Sequence, residues 1–223
     1  MDVYLEVGKK RTFAGALDWP GWCRSGKDEA SALQMLLDFG PRYLRAIESA
    51  QLGFEAPGDV SAFTIVERLE GGAGTDFGAP GVAPSADAGP VGEAELKRFQ
   101  ALLEALWRSF EAAVEMAEGK ELRKGPRGGG RDLDGILRHV WESEIAYLNQ
   151  LGGKFQGGQK QVNPREGFDA LHRTILTALG AAARGELPLV GPRGGKRWTP
   201  RFYVRYSAWH LLDHTWEIED RID

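Results

Sequence analysis

The sequence predicts an α+β chain: a small β-β-β-α-β domain over residues 1–70, a Gly/Pro/Ala-rich linker over 71–91, and a four-helix bundle over 92–223. Three observations predict it. Short β-forming runs punctuated by glycine and proline fill the first 70 residues, and apolar residues at helical spacing fill four long segments after residue 92. Between them lies a stretch with no apolar period. Charge divides at the same place: residues 1–90 hold 8 Lys and Arg against 13 Asp and Glu, a net of −5, and the remainder holds 20 against 19, a net of +1.

In the first segment, Val3 to Val7 and Thr12 to Leu17 read as strands joined by the polar turn Gly8-Lys-Lys-Arg11. Asp18-Trp-Pro-Gly-Trp22 turns the chain, and Cys23 to Ser25 is a third strand. A helix follows with Asp28 at its start and Ala32, Leu33, Leu36, Leu37, Leu44 and Ile47 at helical spacing, broken near Phe39-Gly40 because Pro41 removes a backbone donor. Ala62 to Leu69 is the fourth strand. In the second segment, Glu93 to Glu118, Asp132 to Leu151, Pro164 to Arg184 and Thr199 to Ile222 are the four helices. Asn163-Pro164 and Thr199-Pro200 each place a capping side chain before a proline suited to a first helical turn, and Gly119, Gly152 and Gly185 stand where helices end.

Composition narrows the function classes. A chain of 223 residues with 42% apolar and 27% charged residues can bury a full core, and its net charge of −4 argues against a nucleic-acid binder. The lone Cys23 excludes an internal disulfide and is expected to be a small buried residue. No apolar run has the length of a membrane span and no secretory signal pattern opens the sequence, so the expected location is the cytoplasm.

The chemistry concentrates in the last helix, where His210 and His214 stand four residues apart and so on one helical face. His139 lies on the second long helix. On a helical projection it runs with Ser143 along one edge of the apolar stripe, as His210, His214 and Glu217 do on the last helix. Two readings stand side by side: hydrogen-bonded histidines at a core edge, or three neutral nitrogen ligands for one divalent metal ion. Three ligands would leave a coordination position open for water or substrate; imidazole suits zinc, nickel, copper or iron, and zinc or nickel is the expected ion. Glu217 is the candidate general base, or else the carboxylate that orients a ligand histidine, with Glu142, Glu144 and Asp213 as further candidates for the orienting role. His172, with no partner in view, reads as surface or packing.

The ending Trp-His-Leu-Leu-Asp-His-Thr-Trp-Glu-Ile-Glu-Asp-Arg221, with one histidine near the middle of the second long helix, resembles the DinB-like (YfiT-like) metalloenzyme family. That resemblance covers residues 92–223 and implies a four-helix bundle with one metal held by His139, His210 and His214; thiol-dependent transferases and isomerases occur in the family. The piece Pro20-Gly-Trp-Cys-Arg-Ser-Gly-Lys-Asp-Glu-Ala30, within its order of strands and helix, resembles the HicB-like antitoxin domain over residues 1–70 and implies a protein partner. A near-repeat, Gly125-Pro-Arg-Gly-Gly-Gly-Arg131 and Gly191-Pro-Arg-Gly-Gly-Lys-Arg197, precedes the two histidine-bearing helices. If both loops meet at one end, Arg127, Arg131, Arg193, Lys196 and Arg197 could bind the anionic groups of a substrate or a low-molecular-weight thiol.

The expectation is therefore a metal-dependent hydrolase or thiol transferase acting on a small molecule. The alternative is a non-enzymatic interaction protein, with residues 1–70 binding a partner and the bundle a metal-stabilised scaffold. The oligomeric state is left open, a homodimer among the options, and membrane and nucleic acid are not expected partners.

Overall fold

The computed structural model describes residues 1–124, 130–157 and 164–222. Strands β1 (Asp2–Val7), β2 (Thr12–Ala16) and β3 (Cys23–Gly26) form an antiparallel meander, and β4 (Thr64–Glu70) returns to pair parallel with β1, giving the sheet order β3-β2-β1-β4. A parallel return needs a crossover, supplied by helices α1 (Glu29–Asp38) and α2 (Gly40–Ile47). Asp28 caps α1 by accepting from the Ser31 amide at 2.8 Å, and the chain breaks between α1 and α2 where Pro41 was expected to break it.

The sheet is covered on both faces. Val3, Leu5, Ala14 and Ala16 join Leu33 and Leu36 in the main core, while the alternate residues Tyr4, Glu6 and Phe13 face the later part of the chain. Cys23 lies on this second side beside Trp209, and burial pushes its thiol up to about 12, so it is an inert small core residue.

After the short helix α3 (Ala73–Phe77) come four long ones: α4 (Glu93–Ala117), α5 (Leu133–Leu151), α6 (Pro164–Ala183) and α7 (Pro200–Arg221). Helix α7 packs on α4 and on α5, and α5 packs on α6, with a lighter contact between α6 and α4. The molecule is thus mixed α+β, with a four-stranded sheet at the amino-terminal end followed by helices. The expected strand and helix ends hold to within about two residues; the Asn163 cap falls outside the described residues.

Helix α7 departs from the expected one-sided stripe because it is buried nearly all round. The α+β unit covers the side that an isolated bundle would leave to water. Trp209 meets Phe13 edge-on with ring centres 6.2 Å apart, Trp216 meets Phe39 at 5.0 Å, and Asp213 pairs with Arg24 at 3.2 Å. One hydrophobic core runs without a break from Val3 to Ile218.

The expected linker over 71–91 is a packed segment. Its Thr75 hydroxyl and the Gly81 and Val82 amides all donate to the fully buried Glu6 carboxylate, at 2.5, 3.1 and 3.0 Å. Ser85 bonds Glu67, and Asp87 forms a buried ion pair with Arg205 of α7 at 2.7 Å. Small residues let this segment lie close against the sheet, so its lack of apolar period marks close packing through polar contacts.

The Pro20-Gly21 turn seats the α+β unit on α7. Gly21 has φ +91°, and a Cβ there would stand 2.8 Å from the Ala208 Cβ. Gly21→Ala should cost at least about 2 kcal/mol, combining left-handed strain with the collision. Urea unfolding checks this; a loss below about 0.5 kcal/mol would mean that the turn can move off the helix.

Candidate metal centre

Helices α5 and α7 run antiparallel. Near one end of the pair the Arg221 guanidinium donates to the Arg131 carbonyl at 2.7 Å, and near the other the Trp198 amide donates to the Gln150 carbonyl at 3.0 Å. That direction sets His139 of α5 opposite His210 and His214 of α7. The ring centres of the three imidazoles are 5.0, 4.8 and 4.6 Å apart, and one ligand nitrogen from each lies within 4.8 Å of the other two. His210 and His214 are buried and His139 is half-buried, so the cluster has one partly open side.

The cluster fits a metal ion. Nitrogens bound at about 2.0–2.1 Å to one tetrahedral ion stand roughly 3.3 Å apart. The His139 and His210 Nε2 atoms are 3.1 Å apart. Burial, reinforced by the His214 and Arg131 charges, pushes His139 down to about 4; burial, then the neighbouring His214, His139 and Arg131, holds His210 well below the usual imidazole range. Both are therefore neutral at pH 7, the form that coordinates.

Glu217 holds the third imidazole. One carboxylate oxygen lies 2.7 Å from His214 Nδ1 and the other accepts from Arg221 at 2.7 Å. The His214 bond, with Arg221 behind it, holds Glu217 below the usual carboxylate range. An ionised carboxylate on Nδ1 draws the proton there and leaves the Nε2 lone pair for the centre. With both oxygens engaged, Glu217 is placed to orient His214, the second of its two expected roles. Arg221, which sequence reasoning passed over, anchors Glu217 and also donates to the carbonyls of Arg123 and Arg131. Its only sequence signal was the Glu217-Arg221 spacing of four.

The other expected carboxylates lie elsewhere. Asp213 faces Arg24, Glu142 is exposed, and Glu144 is buried among α4 and α6, accepting from the Trp107 indole at 2.7 Å and meeting His172 at 3.1 Å. His172, expected to be surface or packing, is a packing residue with a partner: it pairs with Glu144 and stacks on Trp107 with ring centres 3.9 Å apart. Above the histidines, Tyr147 stands edge-on to His210 at 5.3 Å and against Tyr206 at 5.1 Å, forming an aromatic wall.

Among the described residues, the two basic stretches lie at opposite ends of α5. Arg131 lies beside the start of α5, whereas the Arg197 guanidinium lies against Gly152 at the opposite end, in the same loop as Arg193 and Lys196. The 19 residues of α5 separate the two ends by about 28 Å. Arg127 lies outside the described residues.

The depressed His139 implies a pH dependence in metal-stripped protein. The unfolded chain takes up this proton near pH 6.5 and the folded chain only near 4, so between these values the unfolded state binds more protons. Stability should fall as pH drops through that window, and His139→Gln should flatten the fall. Urea unfolding at pH 7, 5.5 and 4.5 reads it; identical pH profiles would remove the argument.

Among the described residues, no helix is long and apolar enough to cross a membrane. No protein-family model, no curated protein and no solved structure matches this chain.

Proposed function

We propose that this chain is a metal-dependent enzyme of the DinB-like kind, a four-helix bundle in which His139, His210 and His214 hold one divalent ion, zinc or nickel, for hydrolysis or thiol transfer on a small molecule. The observation that carries this is the convergence of three imidazoles, two of them held neutral by burial, on one point with a partly open side. A bound ion would supply Lewis acidity, lowering the pKa of a water or thiol in its open position.

The chain's own contribution is placement. Glu217 holds the His214 proton on Nδ1, Arg221 holds Glu217, and Tyr147 with Tyr206 limits the approach of water from one side. Glu217→Gln should weaken metal binding about 10- to 100-fold, because the amide no longer fixes the tautomer. Competition with a chelating dye measures it, and unchanged affinity would remove Glu217 from the centre.

The test of function is a turnover screen on ester, amide and phosphoester substrates and on thiol transfer, using chelator-stripped protein and the same protein reloaded with zinc or nickel. Turnover in the reloaded form alone is expected. Failure of both forms on every class, together with a stable complex recovered through residues 1–70, would favour the interaction protein instead.

A further inference from the structure

We propose that a basic cleft at the Arg221 end of the α5–α7 pair is the anion subsite of this centre. It would take the carboxylate or phosphate group of a small anionic substrate whose other end reaches the metal position. The inference rests on the metal-centred function proposed above and names its substrate class. The cleft lies where the chain leaving α4, the start of α5 and the end of α7 meet, and has a volume of about 350 Å³, within the range of small-molecule sites.

Its lining is unevenly charged. Lys120, Lys124, Arg131 and Arg221 face it, against Glu121 and Asp132. Arg221 has its guanidinium committed to Glu217 and to the Arg123 and Arg131 carbonyls, and the Asp132 carboxylate caps α5 through the Gly135 amide at 2.8 Å. Lys120, Lys124 and Arg131 have no ion-pair partner among the described residues. They stand beside the positive end of a 19-residue helix, whose dipole adds to their attraction for an anion.

The cleft is joined to the histidines. Arg221 is both its wall and the anchor of Glu217, which holds His214, so two hydrogen bonds of 2.7 Å link the cleft wall to a ligand imidazole. Arg131 also leads directly into α5, the helix that carries His139, so the cleft and the half-buried imidazole lie along one helix. One molecule with two acidic ends would engage the cleft with one and the metal position with the other.

The test is calorimetric titration of zinc-loaded protein with acetate and with linear dicarboxylates from malonate to adipate, in wild type and in Lys124→Gln/Arg131→Gln. Both substituted residues are exposed, so folding is not at issue. At least one dicarboxylate should bind wild type tenfold or more tightly than acetate, and the double variant should lose that advantage while keeping its metal content. No dicarboxylate advantage, or an advantage retained in the variant, overturns the proposal. If the wild type takes up no metal, the proposed function fails separately, and inorganic phosphate titrated into metal-free protein judges the cleft. Tenfold weaker phosphate binding in the variant then supports the anion site, and equal binding overturns it.

Discussion

Elemental analysis is expected to find about one zinc or nickel ion per chain in wild type and less than about a tenth of that in His210→Ala and in His214→Ala, since two nitrogens do not hold an ion as three do. Both residues are buried on one face of α7, so neither site can be replaced by a nearby side chain. The nearest carboxylate, Glu217, is engaged with Arg221 and would need to give up that pair to ligate. The same loss should appear in stability: an ion at a thousand times its dissociation constant adds about 4 kcal/mol to the folded state. Thermal unfolding with and without chelator should therefore separate wild type from the variants. Metal retained in both variants, or wild type that stays metal-free through zinc and nickel titration, would make the three histidines a hydrogen-bonded core cluster.

Asp87→Ala is expected to cost about 3–5 kcal/mol, the scale for leaving one half of a buried ion pair uncompensated. Asp87 is 1% exposed and Arg205 is 6% exposed. Two carboxylate bonds at 2.8 and 2.7 Å join them, and the remaining Arg205 donors satisfy the carbonyls of Ala16 and Leu17 at 2.8 and 3.1 Å. One guanidinium thus ties α7, the 71–91 segment and the end of β2 together. Removing Asp87 leaves a desolvated cation facing carbonyls and the Tyr4 ring, with no anion. Replacing both partners by apolar residues of similar volume should cost far less, because no orphaned charge then remains. A urea double-mutant cycle measures both effects, and a loss below about 1 kcal/mol in Asp87→Ala would show that water reaches the pair. A single coincident transition in wild type would further show that the α+β unit and the helices unfold together, as their continuous core requires.

Much of this molecule was legible locally. The Asp28 and Thr199 caps, the Gly152 stop with φ +106°, the break at Phe39-Gly40 and the stacking of His210 above His214 each depend on residues within one or two turns of one another. Sequence spacing determines such features because backbone geometry alone converts it into position. The strands were legible for the same reason, from short runs between turn residues.

The rest depended on which elements touch. His139 is 71 residues from His210, and only the antiparallel direction of α5 and α7 brings their nitrogens to 3.1 Å. The length of α5 likewise sets Arg131 and Arg197 at opposite ends, although their similar surrounding sequences suggested joining them. Glu144, a polar residue on an apolar stripe, gained its meaning from Trp107 and His172 on two other helices. The 71–91 segment looked free because its anchors, Glu6 and Arg205, lie at the two ends of the chain. The sequence by itself determined the helices, the strands and the row of histidines on α7. Tertiary packing decided the third histidine's position, the contacts of Glu217 and the fusion of both segments around α7, because burying apolar surface is non-directional and only the packed whole selects which faces meet.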